Sequence, residues 1–242
     1  MELTPSAPGY SGPLLRVRNV HKYKGRRHIL DAVTLDISAH DIIGIFGPNG
    51  AGKTTLLHIL GGLWRPSAGS LEWQGLPYSA HVLSQIGIVW DRPVLHDQWT
   101  APDHFRYYGM LYGILDSSPK RWMRRLGLSD YEQVRVNKFS WGMKKRLSLG
   151  LALLKQPQLL LMDEPLNGLD PASANSFLAF LHSDKCQAAS LIVSHDVADI
   201  LPLCTRYAVL RKGRLRWAPD EIINAKEWVM HALSEQSSTA TF

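Results

Sequence analysis

The sequence predicts an α/β fold around a mainly parallel sheet, interrupted by a helical insertion. Three observations predict it. Short apolar runs alternate with longer stretches of helical periodicity over most of the chain. The runs Ile42, Ile43, Ile45, Phe46, then Leu159 to Met162, then Leu191 to Val193 are nearly continuous rather than alternating. Strands of that kind suit parallel pairing with both faces covered. A glycine-rich loop also stands directly between one such run and a helical pattern, where open α/β sheets bind ligands.

Each element follows in order. Residues 1–13 are rich in Ser, Pro and Gly and read as a loose leader. The core is expected over 14–91 and 156–217, a helical subdomain over 92–155, and a C-terminal helix and tail over 218–242. Leu56, Leu57 and Leu60 follow the glycine-rich loop at helical spacing. Thr100-Ala101-Pro102-Asp103 carries a cap and an acidic partner three residues on, which marks a helix start. Phe105, Tyr108, Leu111 and Tyr112 then supply its apolar stripe. A basic helix includes Lys120, Arg121, Arg124 and Arg125; its cations fit either a membrane partner or a solvated face. Met143, Leu147, Leu151 and Leu154 make a third stripe. Tyr207 to Leu210 and Leu215 to Trp217 flank Lys212-Gly213 as a hairpin. The tail from Ser234 is polar and reads as frayed.

Composition excludes several classes. With 242 residues the chain is one domain, or one core with a smaller subdomain, and buries a core without disulfides or metals. Lys plus Arg exceed Asp plus Glu by 27 to 21, a formal charge of +6. That excess points to an anionic partner without separating nucleotide, nucleic acid and membrane surface. The longest stretch without a charged residue, Trp73 to Trp90, contains Pro77, Gln74, Gln85 and His81 and is too polar to span a bilayer. Met1 to Pro13 lacks the basic start and apolar core of a secretory signal. Cys186 and Cys204 form neither a metal-ligand pattern nor a disulfide framework, which fits a reducing cytoplasm.

Two motifs carry chemistry. Gly47-Pro48-Asn49-Gly50-Ala51-Gly52-Lys53-Thr54, followed by Thr55, fits G-x-x-x-x-G-K-[ST] between a strand and a helix. Its glycines let backbone N–H groups face phosphate oxygens, and the helix N-terminus adds a favourable dipole. Lys53 supplies a cation near the β and γ phosphates, and Thr54 a hydroxyl for Mg²⁺. The second motif is Asp163-Glu164-Pro165 at the carboxyl end of the Leu159–Met162 strand. There Asp163 is expected to hold Mg²⁺ and Glu164 to act as general base on an attacking water. A bare glycine turn and a solvated strand end are the bland alternatives; the two motifs together argue against both.

With these residues the chain resembles the ATP-binding subunits of ABC transporters over about Leu14 to Trp217. Ile192-Val193-Ser194-His195-Asp196 resembles the family's switch-histidine segment, and Asn167-Gly168-Leu169-Asp170 its D-loop. Tyr23, thirty residues before Lys53, sits where the family stacks an aromatic on adenine. The resemblance implies a P-loop NTPase core with an N-terminal β portion and a helical insertion. It implies ATP and Mg²⁺ as ligands, bound between two facing subunits. His195 is expected to contact the γ-phosphate, or to cap a loop. Asp170 before Pro171 also reads as a helix cap.

Two segments depart from the family pattern. The signature L-S-G-G-Q stands here as Phe139-Ser140-Trp141-Gly142-Met143, similar to the S-x-G-M form of bacterial antibiotic and lantibiotic export ATPases. Ser140 and Gly142 are retained and are expected to complete the opposite subunit's site. Lys144, Lys145 and Arg146 follow in a first helical turn, where cations oppose the helix dipole by about 0.3–1 kcal/mol each. A facing polyphosphate would offset this; equally, Lys144 and Lys145 simply point into water. The second departure is Asp91, which aligns with the glutamine that opens the helical insertion. Aspartate can approach Mg²⁺ but is shorter and cannot donate when ionised.

The expected function is therefore an ATP-hydrolysing subunit that drives an ABC exporter. Its expected partners are a separate transmembrane permease subunit and a second ATPase subunit, with no nucleic acid. Its expected place is the inner face of the cell membrane. The alternatives are a soluble ABC ATPase acting on ribosomes or DNA, and a regulatory subunit that binds ATP and hydrolyses little.

Overall fold

The computed structural model describes residues 10–114, 118–181, 188–219 and 224–234. Cys186 and the tail beyond Ser234 lie outside the described residues, as do nine of the thirteen leader residues. In chain order the strands and helices are β1 (Leu15–Lys24), β2 (Arg27–Ile37), β3 (Ile42–Phe46), α1 (Lys53–Leu60), β4 (Ala68–Trp73), β5 (Leu76–Pro77) and β6 (Ile86–Val89). Then come α2 (Ala101–Leu111), α3 (Pro119–Arg125), α4 (Trp141–Leu153), β7 (Leu159–Asp163), α5 (Pro171–Leu181), β8 (Ala189–Ser194), α6 (Val197–Ile200), β9 (Arg206–Arg211), β10 (Arg214–Trp217) and α7 (Ala225–Ser234). The chain divides into two compact units, one spanning Ser79–Ser190 and the other Pro5–Tyr78 with Leu191–Phe242.

The second of these holds an antiparallel sheet in the order β2-β1-β4-β5. Leu15 faces Ile37 and Trp73, and Val17 faces Leu35 and Leu71. In β1 the buried set runs Leu15, Val17, then Val20; in β2 it runs Leu30, then Val33, Leu35, Ile37. Each change of phase falls at a left-handed residue, Asn19 (φ 47°) and Ala32 (φ 53°), where the pairing shifts register. An extra residue at a bulge flips every later side chain to the other face, so both strands keep one apolar face inward. The same unit pairs β3 with β9 in parallel, Ile45 opposite Ala208, and β9 with β10 through the Lys212-Gly213 hairpin. Ile43, Ile45, Phe46, Ala208 and Leu210 are buried, as continuous apolar runs require.

The other unit pairs β6 with β7 in parallel, Val89 opposite Met162. Its helices start on the expected signals. Thr100 accepts from the Asp103 N–H while Asp103 accepts from Thr100, a full capping box that opens α2. Asp170 accepts from the Ser173 N–H at 3.0 Å ahead of α5. One stripe differs from expectation. Phe105 is buried, but Leu111 is 62% exposed, because α2 ends at Tyr112 and Gly113 turns the chain away. His104 and Gly109 occupy the inner face instead. Met143, Leu147, Leu151 and Leu154 are all buried. No helix among the described residues is long and apolar enough to cross a membrane.

Candidate functional site

In the unit that contains β3, the loop from Gly47 to Gly52 leads into α1 at Lys53. Gly52 adopts φ 109°, and a Cβ there would lie 2.8 Å from Leu30 Cδ2 and 3.0 Å from the Ile29 carbonyl. Only glycine fits that turn. Lys53 is buried, and its Nζ donates to the Gly47 carbonyl at 2.6 Å and the Pro48 carbonyl at 3.4 Å. Two carbonyls thus hold the ammonium over the loop. Pro48, Asn49, Gly50 and Thr54 are exposed, Ala51 is buried and Thr55 half-buried.

The helix start is built for an anion. Its N-cap, Gly52, makes no side-chain capping hydrogen bond, and the first turn of α1 holds no acidic residue. By contrast α2, α4 and α6 are capped by Thr100, Ser140 and Asp196. The start of α1 thus has no capping side chain where those helices have one, and a helix N-terminus of this kind suits a phosphate. Lys53 and this helix start fit the polyphosphate of a nucleotide.

Elsewhere in this unit, Tyr23 is half exposed and stacks on His28, with ring centroids 4.2 Å apart. His195 is exposed at the end of β8, next to the buried Ser194. Asp196 caps α6 by accepting from the Ala198 and Asp199 N–H groups. His21, His28 and Asp31 bring three possible metal-ligand atoms within 4.8 Å of one another. The two histidine nitrogens already have partners, and the carboxylate has an arginine. The Ala32 N–H donates to His21 Nδ1 at 3.3 Å, and His28 Nε2 lies 3.1 Å from that same nitrogen. Arg214 binds Asp31 at 2.6 Å and holds its carboxyl below the usual carboxylate range. The cluster is a hydrogen-bonded network. Burial pushes the Cys204 thiol up to about 12, which makes it unreactive as a nucleophile at neutral pH.

In the unit that contains β7, Asp163 is 5% exposed at the strand's carboxyl end. Its buried carboxylate suits a divalent cation. Glu164 follows at φ 44°, a left-handed conformation for a non-glycine residue. That costs about 1–2 kcal/mol, and the following Pro165 disfavours relaxation to the helical region. The Glu164 carbonyl accepts from two donors, the Asn167 N–H at 3.1 Å and Lys145 Nζ at 3.0 Å. Ser140 is exposed and caps α4 by accepting from the Met143 N–H at 3.2 Å. Gly142 is buried where α4 meets α5; a Cβ would lie 2.6 Å from Ser173 Oγ.

Lys145 corrects the expectation that both first-turn lysines point into water. Its side chain is fully buried, with Nζ near the Trp90 carbonyl at 3.4 Å, the Glu164 carbonyl at 3.0 Å and Asp91 Oδ1 at 3.7 Å. Burial pushes the ammonium below its usual range, while Asp91, Asp163 and Glu164 pull it back. Lys144 reaches Asp97 Oδ1 at 3.5 Å, and Arg146 donates to the Leu126 carbonyl at 3.0 Å, just past the end of α3. Each cation of that turn thus has its own partner inside the chain. Arg146 also gains from a helix C-terminus, the favourable end for a cation.

Comparisons with known proteins bear on the family and the fold. The model of a family described as ABC transporter matches residues 30–167. A lantibiotic transport ATP-binding protein, SrtF of Streptococcus pyogenes, is 30% identical over 84% of this chain and 89% of its own. The Nod factor export ATP-binding protein I of Burkholderia lata is 32% identical over 86% of this chain and 72% of its own. A solved structure of an ATP-binding subunit of an ABC transporter superposes with a TM-score of 0.75 at 27% identity, over 84% of this chain and 88% of that one.

Proposed function

The chain belongs to the ABC transporter family as an ATP-binding, ATP-hydrolysing subunit, and from that premise we propose that it powers export through a separate membrane subunit. One relative is a lantibiotic transport protein, and the other, a Nod factor export protein, supports export as the direction. The observation that carries nucleotide binding is the start of α1, which has no side-chain cap and stands beside the buried Lys53.

In the proposed cycle Tyr23 stacks on adenine, and residues Gly47, Pro48, Asn49, Gly50, Ala51, Gly52, Lys53, Thr54 and Thr55 cradle the phosphates. Thr54 and Asp163 are the proposed holders of Mg²⁺, which when bound would neutralise charge on the β and γ phosphates; Asp91, whose Oδ1 accepts from Asn167 Nδ2 at 2.9 Å and lies 3.7 Å from Lys145 Nζ, stands outside that set. Ser140 and Gly142 complete the site of a second ATPase subunit. Glu164 takes a proton from the attacking water, and His195 contacts the γ-phosphate. The helical segment 92–155 passes closure to the membrane subunit. The subunit then works at the inner face of the cell membrane, and no nucleic acid takes part.

Glu164→Gln tests the chemistry. It keeps size and hydrogen bonding but removes the base. Turnover should fall by about 10²–10⁴-fold, while the MgATP dissociation constant stays near that of the parent. Unchanged turnover sinks the assignment of the base.

A further inference from the structure

Four residues outside the proposed cycle, Lys145, Asp91, Asn167 and Trp141, meet behind Glu164. Lys145 is the only charged side chain among the largest fully buried ones of the described residues. Its Nζ donates to the Glu164 carbonyl at 3.0 Å, and Asp91 lies 3.7 Å away as its counter-ion. Asn167 Nδ2 donates to the same Asp91 oxygen at 2.9 Å, and Trp141 Nε1 donates to the Asn167 carbonyl at 2.9 Å. The Trp141 indole lies against Gly168, where an added Cβ would come within 3.0 Å of Nε1. Two of the departures from the family pattern, Asp91 and Trp141, thus converge on one short segment. That segment starts at Glu164, whose backbone is held in the left-handed region.

We propose that Lys145 is a positioning residue for Glu164, and that Asp91 acts as its obligatory counter-ion. Lys145 pins the carbonyl of a residue whose strained φ sets where its carboxylate points. Two donors on one carbonyl prevent the peptide from rotating out of that conformation. Asp91 keeps the buried ammonium charged, since an unpaired buried cation is strongly unfavourable. Asn167 orients Asp91, and Trp141 orients Asn167. The aspartate in place of glutamine and the buried lysine therefore act as one pair. Neither works without the other.

The inference rests on Glu164 being the base, so the tests separate the two. Four forms of the full chain are compared with the parent: Lys145→Gln, Asp91→Asn, the double variant, and Glu164→Gln. Each single change in the pair should lower kcat about tenfold or more, with the KM for MgATP changed by less than about threefold. Without nucleotide, each single change should also lower the melting temperature by about 6–20 °C. The double variant is neutral and keeps a donor and an acceptor. It should regain most of both losses. Losses that simply multiply in kcat and add in melting temperature overturn the pairing. Parental kcat in Lys145→Gln, with Glu164→Gln inactive, overturns the positioning role alone. Parental kcat in Glu164→Gln overturns the base assignment instead, and the melting-temperature coupling still decides the pairing.

Discussion

The phosphate loop and the acidic strand end do comparable work by opposite means. The loop acts through backbone: a glycine at φ 109°, a helix start with no side-chain cap, and one lysine folded onto two carbonyls. The acidic end acts through side chains that hold one another, with Lys145, Asp91, Asn167 and Trp141 behind Glu164. A backbone device has no partner that can change to compensate for it. A side-chain network does, provided its charges change together. This accounts for the loop keeping the family pattern while Asp91 and Trp141 leave it. The loop matches residue for residue; Asp91 and Trp141, two of the four departures, both belong to the network.

Lys53 gives the largest expected break in that comparison. Lys53→Met keeps the buried stem but removes the ammonium. Loss of a charge-assisted contact of about 1.5–3 kcal/mol weakens MgATP binding by roughly 10–100-fold. Titration of the folded variant with MgATP measures it. No second substitution elsewhere should restore binding, in contrast to the Lys145–Asp91 pair. A restoring partner for Lys53 would erase the distinction between the two regions.

The two regions also differ in how legible they were. The loop, the capping box at Thr100, the cap at Asp170 and the hairpin at Lys212-Gly213 are local patterns, and each forms where its residues stand. Lys145 was misread because its partners are distant in sequence: the Glu164 carbonyl is 19 positions away and the Trp90 carbonyl 55. A signal was present. Lys145 is in phase with Leu149 and Ala152, so α4 is buried on a second face that the Met143 to Leu154 stripe did not include. The phase changes in β1 and β2 were not legible either. They depend on Asn19 and Ala32 taking left-handed conformations that tertiary pairing selects.

Trp141→Phe sharpens the comparison at a smaller scale. It keeps an aromatic ring on Gly168 but loses the N–H donated to the Asn167 carbonyl. Trp141 is 39% exposed, so water can satisfy that carbonyl in part. The expected loss of stability is about 0.5–1 kcal/mol, read by urea denaturation. Turnover should fall by a few-fold only, since Lys145 and Asp91 stay in place. A collapse as large as that of Asp91→Asn would make Trp141, not the ion pair, the anchor of the segment.

The smallest effect concerns pH and lies away from both regions. His104 is 1% exposed, with Nδ1–H donated to the Thr100 carbonyl at 2.8 Å and Nε2 accepting from the His96 N–H at 2.9 Å. Burial holds its pKa below the ordinary 6.5, and the nearby His96 adds to this, while the Thr100 carbonyl and Asp103 oppose it. A folded-state pKa below the unfolded one means the unfolded chain takes up the proton first on acidification. The stability from neutral His104 is then complete above the ordinary value of 6.5 and is lost as pH falls towards the folded pKa. One proton limits the slope to about 1.4 kcal/mol per pH unit. His104→Gln offers a donor and an acceptor without titrating. Melting curves from neutral to mildly acidic pH should fall less steeply for that variant than for the parent. Because the other histidines are common to both, parallel curves would show that His104 contributes nothing to the acid sensitivity.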